Sequence, residues 1–96
     1  MKKSIRAYAS SARKLKAMGH PARLGLLAEL ARSERCVGRL QSCLNLSQPH
    51  VSQSLKILRA AGIVAGRRDK NQVCYRIVDP AVRRILTVLK VKETLS

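Results

Sequence analysis

Apolar residues recur along the chain first at helical and then at strand spacing. Over residues 4–18, Ile5, Tyr8, Ala12 and Leu15 are separated by 3, 4 and 3 positions, which lines one face of a helix. Pro21 suits the first turn of a second helix, where its missing N–H costs nothing. Leu24, Leu26, Leu27, Leu30 and Ala31 supply that helix's apolar residues, and it fades near Arg32 or Ser33. A short third helix is predicted over residues 38–44, with Val37 and Leu40 facing inward. Asn45 and Leu46 turn the chain. Ser47 is a good N-cap and Pro49 falls in the following first turn. The fourth helix then runs to about Ala61 and stops at Gly62, a common helix-ending residue.

Beyond Gly62 the period changes. Residues 63–68 and 72–78 are β-prone, and Asp69, Lys70 and Asn71 between them are turn formers. They predict a β-hairpin with a basic first strand and tip. Asp79 caps a last helix, with Pro80 at its first position and Val82, Ile85, Leu86 and Leu89 on its apolar face; from Lys92 the tail is expected to fray. No repeat, low-complexity tract or linker divides residues 1–96, which are expected to be a single domain. The element order is helix, helix, helix-turn-helix, hairpin, helix. This is a mainly α chain with a small β-hairpin, in the order of a winged helix-turn-helix (α1-α2-α3-α4-β-β-α5). Residues 37–62 are its helix-turn-helix and residues 63–78 its wing.

Charge narrows the partners. Twenty Lys and Arg against five Asp and Glu give a net charge of +15, an imbalance that points to a polyanion, either nucleic acid or an anionic membrane. No run of about 18 apolar residues is present, so no span is expected, and the N-terminus lacks the features of a signal peptide. Three cysteines do not make a disulfide framework, and a reducing cytoplasm is the simpler setting. Tyr8 and Tyr75 are the only aromatic residues. The core must therefore be built from Leu, Ile, Val and Ala, and a small domain of that kind often completes its burial by dimerising.

The second helix of the helix-turn-helix carries the chemistry. At about 100° per residue, Val51, Leu55 and Leu58 cluster and must face the core. Pro49, Gln53 and Lys56 then point away, flanked by Gln48, His50 and Ser52. Gln pairs bidentately with adenine, Ser meets several base edges, and Lys takes guanine or phosphate. Between Glu34 and Asp69 there is no acidic residue, as suits a surface facing polyphosphate. Arg67, Arg68 and Lys70 near the hairpin tip are placed to reach the minor groove or flanking phosphates. The expected double-stranded DNA contacts are thus Ser47, Gln48, His50, Ser52, Gln53, Lys56, Arg67, Arg68 and Lys70.

Three stretches together resemble the ArsR/SmtB family of small bacterial winged-helix repressors. They are Met18-Gly19-His20-Pro21-Ala22-Arg23-Leu24, then Cys36-Val37, then the run from Leu46-Ser47-Gln48-Pro49-His50-Val51-Ser52 through Leu58-Arg59-Ala60-Ala61-Gly62-Ile63-Val64. The likeness covers about residues 5–90. It implies a homodimer formed largely by the first and last helices (residues 4–18 and 80–92), which fits their two apolar seams. It also implies a repressor that sits on an inverted-repeat operator and leaves when an inducer binds. A His often stands two positions after the second Ser of the family motif; here that position is Ser54, so base preference is expected to differ.

The family's sensor patterns are depleted. The Glu-x-Cys-Val-Cys-Asp-Leu pattern reads Glu34-Arg35-Cys36-Val37-Gly38-Arg39-Leu40 here. One thiol remains, whereas a soft metal wants two or three. Residues 82–92 hold no His or carboxylate, so the family's zinc site on the last helix is absent, and no metal or cofactor is expected. Cys43, seven residues beyond Cys36, would lie about 10 Å away along a helix, and Cys43 and Cys74 are expected to be small core residues. Cys36, between Arg35 and Arg39, is the candidate sensor thiol. His20, before Pro21, is expected to cap or lie at the surface. Glu29, Glu34, Asp69, Asp79 and Glu93 are scattered singly, with no acid–base pair, phosphate loop or activated nucleophile, so the chain is not expected to be an enzyme. Three functions compete: a dimeric sequence-specific transcriptional repressor, a non-specific architectural DNA- or RNA-binding protein, and a thiol- or soft-metal-responsive repressor acting through Cys36. Base stacking on aromatic side chains, common in RNA binding, has little to work with here.

Overall fold

The structure, a computed structural model, describes Lys2 and residues 4–91. A 3₁₀ turn, Ile5–Tyr8, leads into α1 (Ala9–Met18), followed by α2 (Pro21–Arg32), a two-residue strand β1 (Arg35–Cys36), α3 (Val37–Leu44) and α4 (Gln48–Ala60). Strands β2 (Val64–Asp69) and β3 (Gln72–Ile77) and helix α5 (Pro80–Val88) complete the chain. The predicted element order holds, and the expected fraying from Lys92 falls outside the described residues.

Two elements depart from expectation. The first helix divides into a 3₁₀ turn and α1; the Ser4 hydroxyl accepts from the Arg6 N–H at 3.2 Å, while Ile5 and Tyr8 are exposed. The hairpin also gains a third strand. β1 pairs antiparallel with β3, so the sheet order is β1-β3-β2, with Arg35 opposite Tyr75 and Cys36 opposite Cys74. Two residues between helices carry no periodic signal, so pairing with a strand 38 residues away had no local signature. The hairpin itself closes more tightly than three turn residues imply. Asp69 pairs with Gln72, leaving Lys70 and Asn71 as the turn, with Lys70 at φ 59°.

Leu26, Leu27 and Leu30 of α2, Leu40 of α3, and Val51, Leu55 and Leu58 of α4 are fully buried, joined by Ile63 and Val82. These residues fix α3 and α4 against α2, so the pose of the helix-turn-helix is set by apolar packing. Gly62, at φ 77°, ends α4 in a conformation that L side chains rarely adopt and sends the chain into β2. At the sheet, Gly66 lets the Tyr75 ring lie across the neighbouring strand; a Cβ there would meet the ring at 2.8 Å.

The other caps follow the sequence. His20 Nδ1 accepts from the Ala22 N–H at 3.1 Å, and Pro21 occupies the first turn of α2. Asp79 Oδ1 accepts from the Ala81 N–H at 2.9 Å, and its Oδ2 lies 2.7 Å from Lys14 Nζ. The Lys14 partner holds the Asp79 carboxyl below its ordinary range, against the opposing effect of burial, with the Ala81 N–H adding to the lowering. The ion pair ties the start of α5 to α1. Arg23 donates to the Ala17 and Lys16 carbonyls at the end of α1, and Arg83 Nη1 donates to Ala31 O at 2.9 Å, joining α5 to α2.

Candidate nucleic-acid interface

α3 ends at Asn45, whose left-handed φ of 53° lets its N–H bond back to the Gln41 carbonyl. Leu46 N–H reaches the same carbonyl at 3.2 Å. Ser47 then opens α4, its hydroxyl accepting from the His50 N–H at 3.3 Å. The hydroxyl expected among the DNA contacts is thus engaged as an N-cap, which directs the first turn of α4 outward. No acidic residue stands in that turn, and the free N–H groups of a helix start carry a partial positive charge that suits phosphate.

The two faces of α4 separate as the spacing requires. Val51, Leu55 and Leu58 are buried, while Gln48, Pro49, His50, Gln53 and Lys56 are exposed and Ser52 half-buried. Gln48 Nε2 donates to Ser52 Oγ at 2.6 Å, so two candidate base-reading groups pre-order each other on one edge of the helix. His50 stands beside His20 with ring centroids 6.5 Å apart at 74°, a neighbour from α2 that sequence spacing does not reveal. Ser54 is the correction: it is 3% exposed, so its hydroxyl is not on the outward face. The departure from the family's His at that position bears on packing rather than on base contact.

The wing brings its three cations together only in part. Arg68 and Lys70 are exposed near the tip. Arg67 instead turns back: its Nε lies 3.0 Å from both carboxylate oxygens of Glu34, and Nη2 also donates to Oε1. The Arg67 hydrogen bonds hold the Glu34 carboxyl below its usual range; desolvation opposes this, and the charges of Arg67 and Arg76 add to it. The same hydrogen bonds raise the Arg67 guanidinium further. Nothing in the sequence pairs Glu34 with Arg67, because the two lie 33 residues apart along the chain.

The cysteines also depart from expectation. Cys36 and Cys74 are joined by a disulfide between the register partners of β1 and β3, so the chain does hold a bridge. Cys74 is buried as expected, but bonded. Cys43 is free and exposed on α3 rather than in the core. Its neighbour Leu40 takes the inward position, and the eight-residue α3 (Val37–Leu44) has only one buried face. Among the described residues no group of three or more His, Cys, Asp or Glu is placed to hold a metal ion, and no helix is long and apolar enough to cross a membrane.

The description "Bacterial regulatory protein, arsR family" matches residues 20–65, from the cap of α2 into β2. The chain is 44% identical over 75 residues to the Biofilm growth-associated repressor of Agrobacterium fabrum, covering 78% of this chain and 64% of that protein. The chain thus spans less than two thirds of that repressor, and 53% of another curated relative it matches. Among solved structures, HlyU from Vibrio cholerae superposes with a TM-score of 0.83 at 35% identity, covering 90% of this chain and 94% of that one. A homodimeric winged helix-turn-helix DNA-binding domain from Mycobacterium bovis, a possible ArsR-family regulator, superposes with a TM-score of 0.81 at 30% identity, covering 93% and 85%. With its helix-turn-helix, wing and sequence all matched, this chain belongs to the arsR family of bacterial regulatory proteins.

Proposed function

We propose that the chain is a homodimeric, sequence-specific DNA-binding transcriptional repressor of the cytoplasm. It occupies an inverted-repeat operator and leaves it when an inducer acts. The observation that carries this reading is the outward face of α4: Gln48, His50, Gln53 and Lys56 are exposed, no carboxylate stands among them, and Val51, Leu55 and Leu58 anchor the opposite face. Arg68 and Lys70 extend the basic surface onto the wing. Phosphate contacts from Lys and Arg set affinity and register, while Gln48, Ser52, Gln53 and His50 select bases.

Dimerisation is supported by apolar side chains that the protomer leaves uncovered. Ile5 is 83% exposed and Leu15 58%, with Tyr8 beside them; on α5, Val88 is 78% exposed and Leu89 is uncovered as well. Two helical recognition elements one helical turn apart on DNA would then face the two halves of a palindrome.

Selection of bound sites from a random duplex library tests the function. The expected product is an inverted repeat. If the dimer neutralises about 6–10 phosphates, affinity for it falls roughly 10³–10⁵-fold between about 50 and 200 mM salt. Recovery of duplexes with no shared sequence would replace this reading with a non-specific architectural one. A second reading, in which thiol chemistry at Cys36 controls DNA affinity, is favoured by one observation, the bond from Cys36 to Cys74.

A further inference from the structure

Three clefts in the described surface differ in their linings. One, of about 150 Å³, runs between Leu15 and Leu89 on the apolar seam proposed for the dimer. A second, of about 390 Å³, lies between His20 and His50 beside the outward face of α4. The third, of about 310 Å³, lies where α1, the first turn of α2 and the last turn of α4 meet. Its floor is apolar, made by Ala17 of α1 with Ile57 and Ala60 of α4, and its rim carries Arg13, Lys16 and Arg23. No carboxylate lines it. At about 100° per residue, Arg13 and Ala17 fall on the side of α1 away from the exposed Leu15, so this cleft faces away from the seam.

The rim is a prepared cationic site. Arg23 is half-buried and donates from Nε to Ala17 O and from Nη2 to Lys16 O. Its guanidinium is thus fixed at the edge of the cleft, with Nη1 free of partners among the described residues. The side chains of Arg13 and Lys16 are exposed and hold no ion pair or hydrogen bond among the described residues. Three cations round one cleft repel each other, and an anion held among them relieves that repulsion. The floor rewards only an anion that carries apolar surface. The volume stands at the small end of the roughly 300–1,000 Å³ usual for ligand pockets, which suits a short chain or a single ring.

We propose that this cleft binds a small organic carboxylate with an apolar body, and that the bound acid is the inducer that weakens the grip on DNA. The second half rests on the repressor reading above. Coupling needs no movement of α4. Lys56, a candidate phosphate contact, and Ala60 stand four positions apart and are neighbours on the surface of the helix. A carboxylate held over Ala60 lies within about one Debye length of the Lys56 stem, and it offsets positive charge that would otherwise attract phosphate.

The test uses the full chain at neutral pH, where the acid is ionised, with octanoate and phenylacetate as chain and ring probes. Calorimetric titration of the DNA-free protein is expected to show one acid per protomer. Octanol, acetate and inorganic phosphate are expected to bind at least about tenfold more weakly. Arg13→Gln combined with Lys16→Gln should weaken the acid about tenfold, and Ala60→Leu, which fills the floor from an exposed position, should abolish binding. Unfolding midpoints close to wild type confirm that neither variant acts by losing the fold, since the Arg23 bonds are kept in both. Failure of both probes to bind overturns the proposal. Binding that survives Ala60→Leu lies elsewhere and overturns the site. Phosphate or acetate binding as tightly as octanoate overturns the ligand class.

On a duplex selected by the wild type, saturating acid is expected to lower DNA affinity at least about fivefold, and by less at higher salt. Saturating duplex should weaken the acid by the same factor. Equal DNA affinity with and without bound acid overturns the inducer role and leaves the site. Lower DNA affinity in the Arg13 and Lys16 double variant, with acid binding unchanged, overturns the site and makes the two cations phosphate contacts. Absence of duplex binding by the acid-free wild type overturns the repressor reading instead, because acid binding is measured without DNA.

Discussion

The recognition helix and the wing carry the same sign of charge, yet they are fastened to the domain by different forces. α4 buries Val51, Ser54, Leu55 and Leu58 against α2 and α3. β2 buries only its first residue, Val64; from Gly66 onward it is exposed. What holds the outer wing is the β2–β3 ladder, the Glu34–Arg67 ion pair and the Cys36–Cys74 bond. Charge screening barely touches apolar packing, whereas an exposed ion pair weakens with salt and a disulfide opens by exchange with thiols. The element proposed to read bases is thus fixed by packing, and the element proposed to grip the backbone is held by ties that solution conditions alter.

The comparison breaks most sharply at the helix anchor. Leu55→Ala is expected to cost about 2–5 kcal/mol, the usual range for truncating a fully buried leucine, measured by denaturant unfolding at fixed protein concentration. Arg68→Ala on the wing should stay within about 0.5 kcal/mol in the same assay, as exposed surface changes do. Equal costs would mean that the wing is packed as firmly as α4.

Next in size is an effect on DNA rather than on folding. Gln53→Ala removes an exposed side chain from the centre of the outward face and is expected to lose about 1–3 kcal/mol of discrimination at one base pair, with little change in salt slope. Competition between the selected site and its single-base variants measures it. A uniform loss on every duplex would instead place Gln53 among the phosphate contacts.

The same contrast decides what the sequence disclosed. The faces of α4, its Ser47 cap and its Gly62 stop are local patterns, and so are the His20 and Asp79 caps; neighbouring residues and a period suffice to read them. The wing's fastenings are not local. Glu34 and Arg67 are 33 positions apart, and Cys36 and Cys74 are 38. They meet only because a two-residue strand happens to pair with β3. Ser54 was misplaced for a related reason. It lies one position before Leu55, and rotation along the helix puts both inside the core boundary, although the family motif implies an effect on base preference there. The split of the first helix was equally hidden, since Ile5, Tyr8 and Leu15 continue one helical spacing across it and are all exposed.

At the base of the wing, where β3 passes into α5, Asp79 sharpens the contrast through pH. Its carboxyl is held below the ordinary range chiefly by Lys14. A lowered folded-state pKa adds stability that is present above the unfolded value, near 3.8, and is lost as pH falls through the folded value. Stability of the wild type should therefore drop in acid below about pH 4, and Asp79→Asn should flatten part of that drop. Asp79→Ala, which also removes the cap on Ala81, is expected to cost about 0.5–2 kcal/mol at neutral pH. An acid transition unchanged in Asp79→Asn would assign it to other carboxylates.

The smallest expected effect separates the two faces of α4 from each other. Ser54 is buried while Gln53, its neighbour, is exposed, although both lie within the family motif. Ser54→Ala removes the hydroxyl and leaves a methyl group in a site that already excludes water. Stability should shift by no more than about 1.5 kcal/mol, the net worth of one hydrogen bond. Base preference, read by the same competition assay as for Gln53→Ala, should not move, because the removed group never reaches the groove. A changed preference in Ser54→Ala alone would mean that α4 rotates on its core when it docks. The helix would then be as adjustable as the wing, and the division between a rigid reader and a responsive grip would be lost.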